Sequence, residues 1–163
     1  MSRELRILAV NPGSRYLGIA FFQGVELRDW KVKILKGEWS REKMEKAKKI
    51  VSFLIDYWRP NVLVIKLLHP SRSSRNLKIL VAKIKVLSKK RGLKVYQYSI
   101  KEIEDFFSTK EKMNKRKLAE MVASRYTELI PQFEKEKNHR NPYHIRMFEA
   151  VALGATCSYK LDK

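Results

Sequence analysis

The sequence has little cysteine, histidine and acid, and it has no long apolar run. Among 163 residues Cys157 is the single cysteine, which excludes an internal disulfide, and with three histidines a cysteine-based zinc site is not expected. No run of about 18 apolar residues occurs, so no membrane span is expected. The N-terminal MSRELRILAVNPG enters a strand pattern without the hydrophobic segment of a signal peptide. These absences predict a soluble, cytoplasmic protein with no membrane partner.

The shortage of acid is the strongest compositional signal. Seventeen Asp and Glu face 36 Lys and Arg, which gives a formal net charge of +19 and a pI near 10.1. A hydrophobic fraction of 44% excludes a disordered basic tail. A lysine-rich thermophilic surface would carry matching glutamate, so it does not explain a twofold excess of base. The charge therefore predicts a polyanionic partner, and nucleic acid fits best because phosphate neutralisation dominates its binding.

The chain has neither an internal repeat nor a Pro/Gly/Ser-rich linker, so one domain is predicted over 1–163. Apolar periodicity and turn residues predict strands at 7–10, 17–22, 25–35, 62–65 and 93–98. They predict helices at 40–58, 76–91 and 114–130, a short helix or turn at 100–107, a polar loop at 132–141, and a last helix from 142. A three-stranded meander continued by two βα units predicts an α/β fold. It would have a five-stranded mixed sheet with helices on both faces.

Four collinear segments resemble the RuvC-like Holliday junction resolvases of the ribonuclease-H-like superfamily. The first, VNPGSRYLGIA from Val10, is similar to the family's I-D-P-G-S-x-x-x-G. The others are VLVIK from Val62, KVYQY from Lys94 with the basic stretch 110–117, and RMFEAVALG from Arg146. The resemblance covers almost the whole chain and implies a ribonuclease-H-like fold and a nucleic-acid substrate.

The resemblance also implies where metal ligands would lie. Active relatives carry Asp, Glu, Asp or His, and Asp at four positions. This chain has Asn11, Lys66, Arg146 and Glu149 there, so one carboxylate remains. By reference pKa values the local charge becomes about +1 where an active relative has roughly −4.

Two-metal cleavage needs anionic ligands around both ions, and a protonated lysine repels them. We therefore expect no cofactor, and Mg²⁺ only if the chain is a nuclease after all. The hypothesis is a nuclease pocket turned into a metal-free phosphate pocket, in which Glu149 pairs with Lys66 or with Arg146.

Each of these residues also has a purely structural interpretation. Lys66 would reach from a buried strand end to solvent, and Asn11 would stabilise the turn after it. Glu149 would pair with a neighbouring base on its helix. His139 and His144 are expected to contact solvent or phosphate, and Cys157 to pack in the core.

The basic residues form three clusters. Between Lys66 and Lys101 lie eleven basic residues and no acid, and the other clusters fall near 110–117 and 135–146. Arginine forks and serine hydroxyls suit phosphate contacts. The expected nucleic-acid-binding residues are Ser14, Arg15, Arg72, Ser73, Ser74, Arg75, Lys78, Lys83, Lys110, Lys112, Lys115, Arg116, Lys117 and Arg140.

Several functions stay open at this point. The leading one is a RuvC-like protein that binds branched or structured DNA, or structured RNA, without cleaving it. The alternatives are an active endonuclease with an unorthodox site that uses Glu149, Asn11 and an acid such as Glu102 or Glu104, a scaffold subunit of a nucleoprotein complex, and a nucleotide-binding protein. The resemblance implies a homodimer, although the net charge opposes close self-association without nucleic acid.

Overall fold

A computed structural model describes residues 4–108, 113–138 and 142–162. Its strands are β1 (Arg6–Pro12), β2 (Tyr16–Gln23), β3 (Glu26–Ile34), β4 (Val62–Lys66) and β5 (Lys94–Tyr98). Its α-helices are α1 (Arg41–Trp58), α2 (Arg75–Lys90), α3 (Ile100–Phe107), α4 (Lys115–Arg125), α5 (Ile130–Asn138) and α6 (Pro142–Leu161), with a 3₁₀ turn at Thr127–Leu129.

The five strands form one mixed sheet in the order β3-β2-β1-β4-β5. The meander β1–β2–β3 is antiparallel, whereas β4 and β5 run parallel to β1. The carboxyl ends of β1, β4 and β5 therefore meet at one edge of the sheet, named here the carboxyl edge. The predicted α/β fold with a five-stranded mixed sheet is confirmed.

Alternating side chains divide the interior into two cores. On one face Leu8, Val10 and Ile65 pack with α1 and α2. On the other face Ile7 and Ala9 pack with α3, α4 and α6. Because successive strand residues point to opposite faces, the near-continuous apolar strands need helices on both sides. Cys157 is buried in the second core, as expected.

Small residues bring α6 into contact with the sheet. A Cβ at Gly18 in β2 would collide with the backbone carbonyl of Arg146, and a Cβ at Gly154 in α6 would collide with the Phe22 ring. Glycine permits both approaches because it has no side chain. The residues of α6 near Arg146 are thereby held against the meander.

Side-chain caps start the helices beside the carboxyl edge. Ser74 accepts a hydrogen bond from the Leu77 amide at the start of α2, and Asn114 accepts one from the Lys117 amide at the start of α4. Such caps satisfy backbone donors that have no partner within the helix. Gly92 has a φ of +84° just beyond α2, where a left-handed residue is favoured.

The sequence prediction is wrong between 126 and 138. The expected single helix over 114–130 ends at Arg125, and most of the expected loop at 132–141 belongs to α5. Pro131 does not prevent a helix there because it lies in the first turn of α5. A residue in the first turn donates no intrahelical hydrogen bond, so the missing amide hydrogen of proline costs none. Residues 139–141 lie outside the described residues. No helix in the described part of the chain is long and apolar enough to cross a membrane.

Candidate functional site

The candidate site lies where β1 and β4 end and α6 crosses them. Asn11 is the penultimate residue of β1 and Lys66 is the last residue of β4. The two strands are parallel neighbours paired through Val10 and Ile65, so both polar residues reach the carboxyl edge together. Packing of α6 against Gly18 then adds Arg146 and Glu149.

Three of these side chains form one hydrogen-bonded cluster. The Nδ2 of Asn11 donates to Glu149 Oε2 at 3.0 Å and to the Arg146 carbonyl oxygen at 3.1 Å. The Nζ of Lys66 donates to the same Glu149 Oε2 at 2.9 Å. Asn11 is fully buried and Glu149 is 2% exposed, so both depend on these partners. The structural interpretations given for Lys66, a reach to solvent, and for Asn11, a stabilised turn, do not explain why both side chains contact Glu149.

Glu149 is ionised because cations surround it. Burial is the largest influence and by itself would raise the pKa of Glu149. The charge and hydrogen bond of Lys66, with the charges of Lys115 and Arg146, outweigh burial and leave the pKa below its ordinary value of 4.5. One carboxylate therefore faces three cations, and the site carries a surplus of positive charge.

The Arg146 guanidinium is the half-buried cation that this carboxylate does not neutralise. It lies against Gly13, since a Cβ there would be 2.9 Å from both Cζ and Nε of Arg146. Among the described residues it has no acidic partner within 4.0 Å and donates no hydrogen bond. A guanidinium presents five N–H donors in a planar fork, so it is available to bind an oxyanion.

The arrangement of strands and helices matches solved resolvases over almost the whole chain. Thermus thermophilus RuvC in complex with a Holliday junction substrate superposes with a TM-score of 0.71 at 17% identity, covering 97% of this chain and 96% of that one. The chain has the fold of the RuvC-like Holliday junction resolvases. The yeast mitochondrial Holliday junction resolvase Ydc2 gives 0.65 at 14% identity, over 94% of this chain and 78% of that one.

A viral RuvC-like resolvase also matches. The fowlpox virus resolvase in complex with Holliday junction DNA gives a TM-score of 0.57 at 15% identity, over 98% of this chain and 100% of that one. No protein-family model matches the sequence, and neither does any curated protein. The resemblance read from the sequence motifs therefore holds in the fold, at low sequence identity.

The residues at the RuvC-like carboxyl edge do not fit a pair of divalent ions. In the described ranges no group of three His, Cys, Asp or Glu side chains comes together. The carboxylate of Glu149 already accepts a hydrogen bond from the Lys66 ammonium, and Arg146 adds charge of the same sign as a metal. A two-metal centre needs several oxygen anions, and this site supplies one.

Two buried acceptor oxygens of the site have no donor from the described residues. They are Asn11 Oδ1 and Glu149 Oε1. The single oxygen of the Asn11 amide and the second oxygen of the Glu149 carboxylate are thus separate from the hydrogen bonds that hold the cluster together. Two such oxygens accept a hydrogen bond or coordinate a single cation, which is less than a two-metal centre requires.

The predicted nucleic-acid-binding residues divide by position. Ser14 and Arg15 follow β1, the loop from Arg72 to Arg75 follows β4, and Lys115 starts α4 near Glu149. All of these except the half-buried Ser73 are exposed. The carboxyl edge therefore carries basic residues from three separate parts of the chain.

The remaining predicted binding residues are farther along helices or engaged locally. Lys78 Nζ donates to the Pro70 carbonyl oxygen at 2.6 Å, and Ser74 of the loop already described also caps α2. Lys117 lies 3.7 Å from Glu120, Arg116 is exposed, and Lys83 is exposed on α2. Lys110, Lys112, His139 and Arg140 lie outside the described residues.

The acids considered for an unorthodox nuclease site do not join Glu149. Glu102 forms a capping box with Ser99 at the start of α3, accepting a bond from the Ser99 amide at 3.1 Å. Glu104 belongs to the same helix, and neither acid is part of a group of three or more His, Cys, Asp or Glu side chains in the described ranges.

Sequence reasoning missed how α4 and the glycines complete the site. The sequence places Lys115 in the basic cluster at 110–117, whereas in the structure its charge acts on Glu149. In the sequence Gly18 is one residue of a motif, and in the structure it permits the close approach of β2 and α6. A glycine inside an apolar strand is the available signal, since it often marks a close backbone approach.

Proposed function

We propose that this chain binds branched or structured nucleic acid at the carboxyl edge and does not cleave it by two-metal chemistry. The observation that carries the proposal is the ion pair of Lys66 with Glu149, the one carboxylate at the four metal-ligand positions that the resemblance implies. An ammonium ion on that carboxylate takes the electrostatic role that a metal would have. The pocket then attracts phosphate and repels divalent ions.

The solved relatives support nucleic acid as the partner. The RuvC of Thermus thermophilus and the fowlpox virus resolvase are both described in complex with Holliday junctions. This chain has their fold and a net charge of +19. A four-way DNA junction is therefore the first ligand to test, and structured RNA is the second.

Arg146 would make the central phosphate contact in this pocket. Its guanidinium has no acidic partner in the described residues, and Lys66 keeps further N–H donors beyond the one used on Glu149. Lys115 adds an exposed charge beside them. A phosphodiester oxygen would accept hydrogen bonds from Arg146 while Glu149 holds Lys66 in place.

A binding panel tests the proposed partner. Labelled four-way junction, linear duplex, single strand and structured RNA would be titrated at two salt concentrations in gel-shift assays. We expect the junction or the structured RNA to bind more tightly than the linear duplex, with affinity falling as salt rises. Absence of any shift at physiological salt would contradict the proposal.

A restored acidic site tests the loss of metal chemistry. The triple substitution Asn11→Asp, Lys66→Glu and Arg146→Asp would return carboxylates to the positions implied by the resemblance. We expect calorimetry to detect Mg²⁺ or Mn²⁺ binding to this variant and none at micromolar affinity to the wild type. Metal-dependent junction cleavage by the wild type would refute the proposal.

One observation favours the alternative of an active endonuclease. Asn11 Oδ1 and Glu149 Oε1 are buried oxygens without a donor in the described residues, and a single divalent ion would suit them. The same cleavage assay decides, because this alternative requires metal-dependent cleavage that Glu149→Gln abolishes. The scaffold alternative predicts a stable complex with RNA or protein that survives purification at moderate salt.

A further inference from the structure

Aromatic side chains from two helices surround a guanidinium from a third. The Cζ of Arg125 lies 5.1 Å from the ring centroid of Phe107, 5.3 Å from that of Phe106 and 5.4 Å from that of Tyr159. The Phe106 ring centroid in turn lies 5.1 Å from that of Phe107 and 5.3 Å from that of Tyr159. The C-terminal ends of α3, α4 and α6 therefore meet at this cluster.

A shallow surface depression lies beside the cluster and is named here the Arg125 depression. It is lined by Phe106, Phe107, Ser108, Met121, Ser124 and Arg125. The two rings and Met121 are buried or half-buried against the second core, whereas Ser124 and Arg125 are exposed. The depression thus combines apolar contact area with an exposed cation.

The Arg125 guanidinium keeps its hydrogen-bond donors. Among the described residues it has no hydrogen-bond acceptor and no acidic partner within 4.0 Å. Contact with ring faces stabilises the cation but leaves the five N–H donors of the guanidinium available. Because three rings also restrict the side chain, less rotamer freedom remains to be lost when a ligand binds. Such a fork is suited to bidentate recognition of a carboxylate.

The charges on the surrounding segments favour a ligand with a single negative group. The acids are Glu104 and Asp105 on α3, Glu120 on α4, Glu128 in the 3₁₀ turn and Asp162 beyond α6. Lys101, Lys117 and Lys160 offset part of this charge, and Glu120 lies 3.7 Å from Lys117. A polyanion such as nucleic acid would meet these carboxylates along its length, whereas one carboxylate placed on Arg125 would not.

We propose that the Arg125 depression binds the C-terminal residue of a partner polypeptide. The terminal carboxylate would accept hydrogen bonds from the guanidinium, and an apolar or aromatic side chain would pack on Phe106 and Met121. A terminal residue carries both groups on one Cα, which suits a depression of this small extent, whereas an internal Asp or Glu lacks the apolar group. Capture of a C-terminal carboxylate is an established mode of peptide recognition.

The Arg125 depression is separate from the carboxyl edge. Tyr159 lies ten residues after Glu149 on α6, and Arg125 lies ten residues after Lys115 on α4, which is about 15 Å along each helix axis. A polypeptide at Arg125 and nucleic acid at the carboxyl edge would therefore contact different side chains.

The test uses two N-acetylated synthetic peptides of Gly and Ser that end in Phe, one with a free C-terminal carboxylate and one with a C-terminal amide. Each is titrated into the isotope-labelled full chain, and the Nε–H signal of Arg125 in NMR spectra reports binding at this residue. Arg125→Met removes the charge and the fork but keeps an unbranched apolar chain beside the rings. Arg41→Met is the matched control, because Arg41 is exposed at the start of α1 on the opposite face of the sheet.

We expect the wild type to bind the carboxylate peptide at least about tenfold more tightly than the amide, as for a charge-assisted hydrogen bond. Arg125→Met should bind both peptides equally, while Arg41→Met keeps the wild-type affinities within about twofold. Arg125→Lys keeps the charge without the fork and should restore part of the preference. Circular dichroism melts establish that each variant is folded. A purely structural role of Arg125 would change the melting temperature but not the preference for the carboxylate.

Several outcomes would overturn the inference. One is failure of the carboxylate peptide to bind, and another is a carboxylate preference that Arg125→Met retains. Equal losses in Arg125→Met and Arg41→Met would mean general charge attraction. A larger loss of junction affinity for Arg125→Met than for Arg41→Met would identify nucleic acid as the occupant. A dimer in sedimentation that only Arg125→Met dissociates would identify a second copy. The peptide titrations do not depend on junction binding, so this inference and the proposed function fail separately.

Discussion

The carboxyl edge and the exposed face of α2 both carry an excess of positive charge, but their charged side chains have different surroundings. At the carboxyl edge, Lys66 is bound to a buried carboxylate and Arg146 lies against Gly13. On α2, Lys83 and Lys90 are exposed and without acidic partners in the described residues. A buried charge is stabilised by the particular side chains that contact it. Exposed charges are screened by solvent and salt, so removal of any one lysine changes the electrostatic potential little. The comparison teaches that charge can be structural in one region and replaceable in the other.

The largest expected effect is on stability at the carboxyl edge. Glu149→Gln would leave Lys66, which is 17% exposed, beside two other cations without their counter-charge. We expect the free energy of unfolding to fall by about 3 kcal/mol in urea titrations, as when one partner of a buried pair is removed.

The matched control for this variant is an exposed pair. Glu26 lies 2.7 Å from Arg28, and their side chains are 63% and 54% exposed. Glu26→Gln should change the free energy of unfolding by less than about 1 kcal/mol. Equal losses in the two variants would remove the distinction between buried and exposed charge.

The next effect is on nucleic-acid affinity. Arg146→Gln removes the half-buried fork and should weaken junction binding about tenfold, near the low end for a charge-assisted hydrogen bond. Lys83→Gln removes an exposed charge and should weaken it about twofold, while lowering the salt dependence slightly. A larger loss for Lys83 than for Arg146 would move the binding surface to α2.

The smallest effect concerns pH. The pKa of Glu149 is depressed in the folded chain, so its contribution to stability is present above its ordinary value of 4.5 and is lost as pH falls through the lower folded value. The difference in unfolding free energy between wild type and Glu149→Gln should therefore be constant from pH 7 to about 5 and shrink towards pH 3. Denaturant titrations at each pH measure it, and a gap that widens in acid would show that the pKa is raised.

Much of the fold was predictable because apolar periodicity is local. The alternation of side chains along β1 places Ile7 and Leu8 in different cores. Gly92 follows α2 with a positive φ, which glycine adopts readily, so the end of that helix is visible in the sequence. The break at Tyr126 and the helix through Pro131 were not predictable. They depend on packing and on where a helix starts, and neither shows in the periodicity.

The candidate site was predictable in membership but not in pairing. The resemblance brought four positions together, yet it left open whether Glu149 pairs with Lys66 or Arg146. The 2.9 Å distance selects Lys66, while Arg146 turns towards Gly13. The direction of a side chain at the end of a strand depends on the sheet and on the helix that crosses it. A sequence motif contains no information on how these two elements pack.

The two glycine contacts of α6 also bear on how a ligand would be received. Gly18 fixes the helix near Arg146 and Gly154 fixes it eight residues later, about 12 Å along its axis. Close contacts at both places oppose sliding or tilting of α6, so we expect the backbone positions of Arg146 and Glu149 to change little when a ligand binds. The backbone of α6 then has little conformational entropy to lose on association, and the remaining cost lies in the Arg146 side chain and in the ligand. Such a pocket would favour nucleic acids that already hold a sharp backbone bend over those that must be bent on arrival.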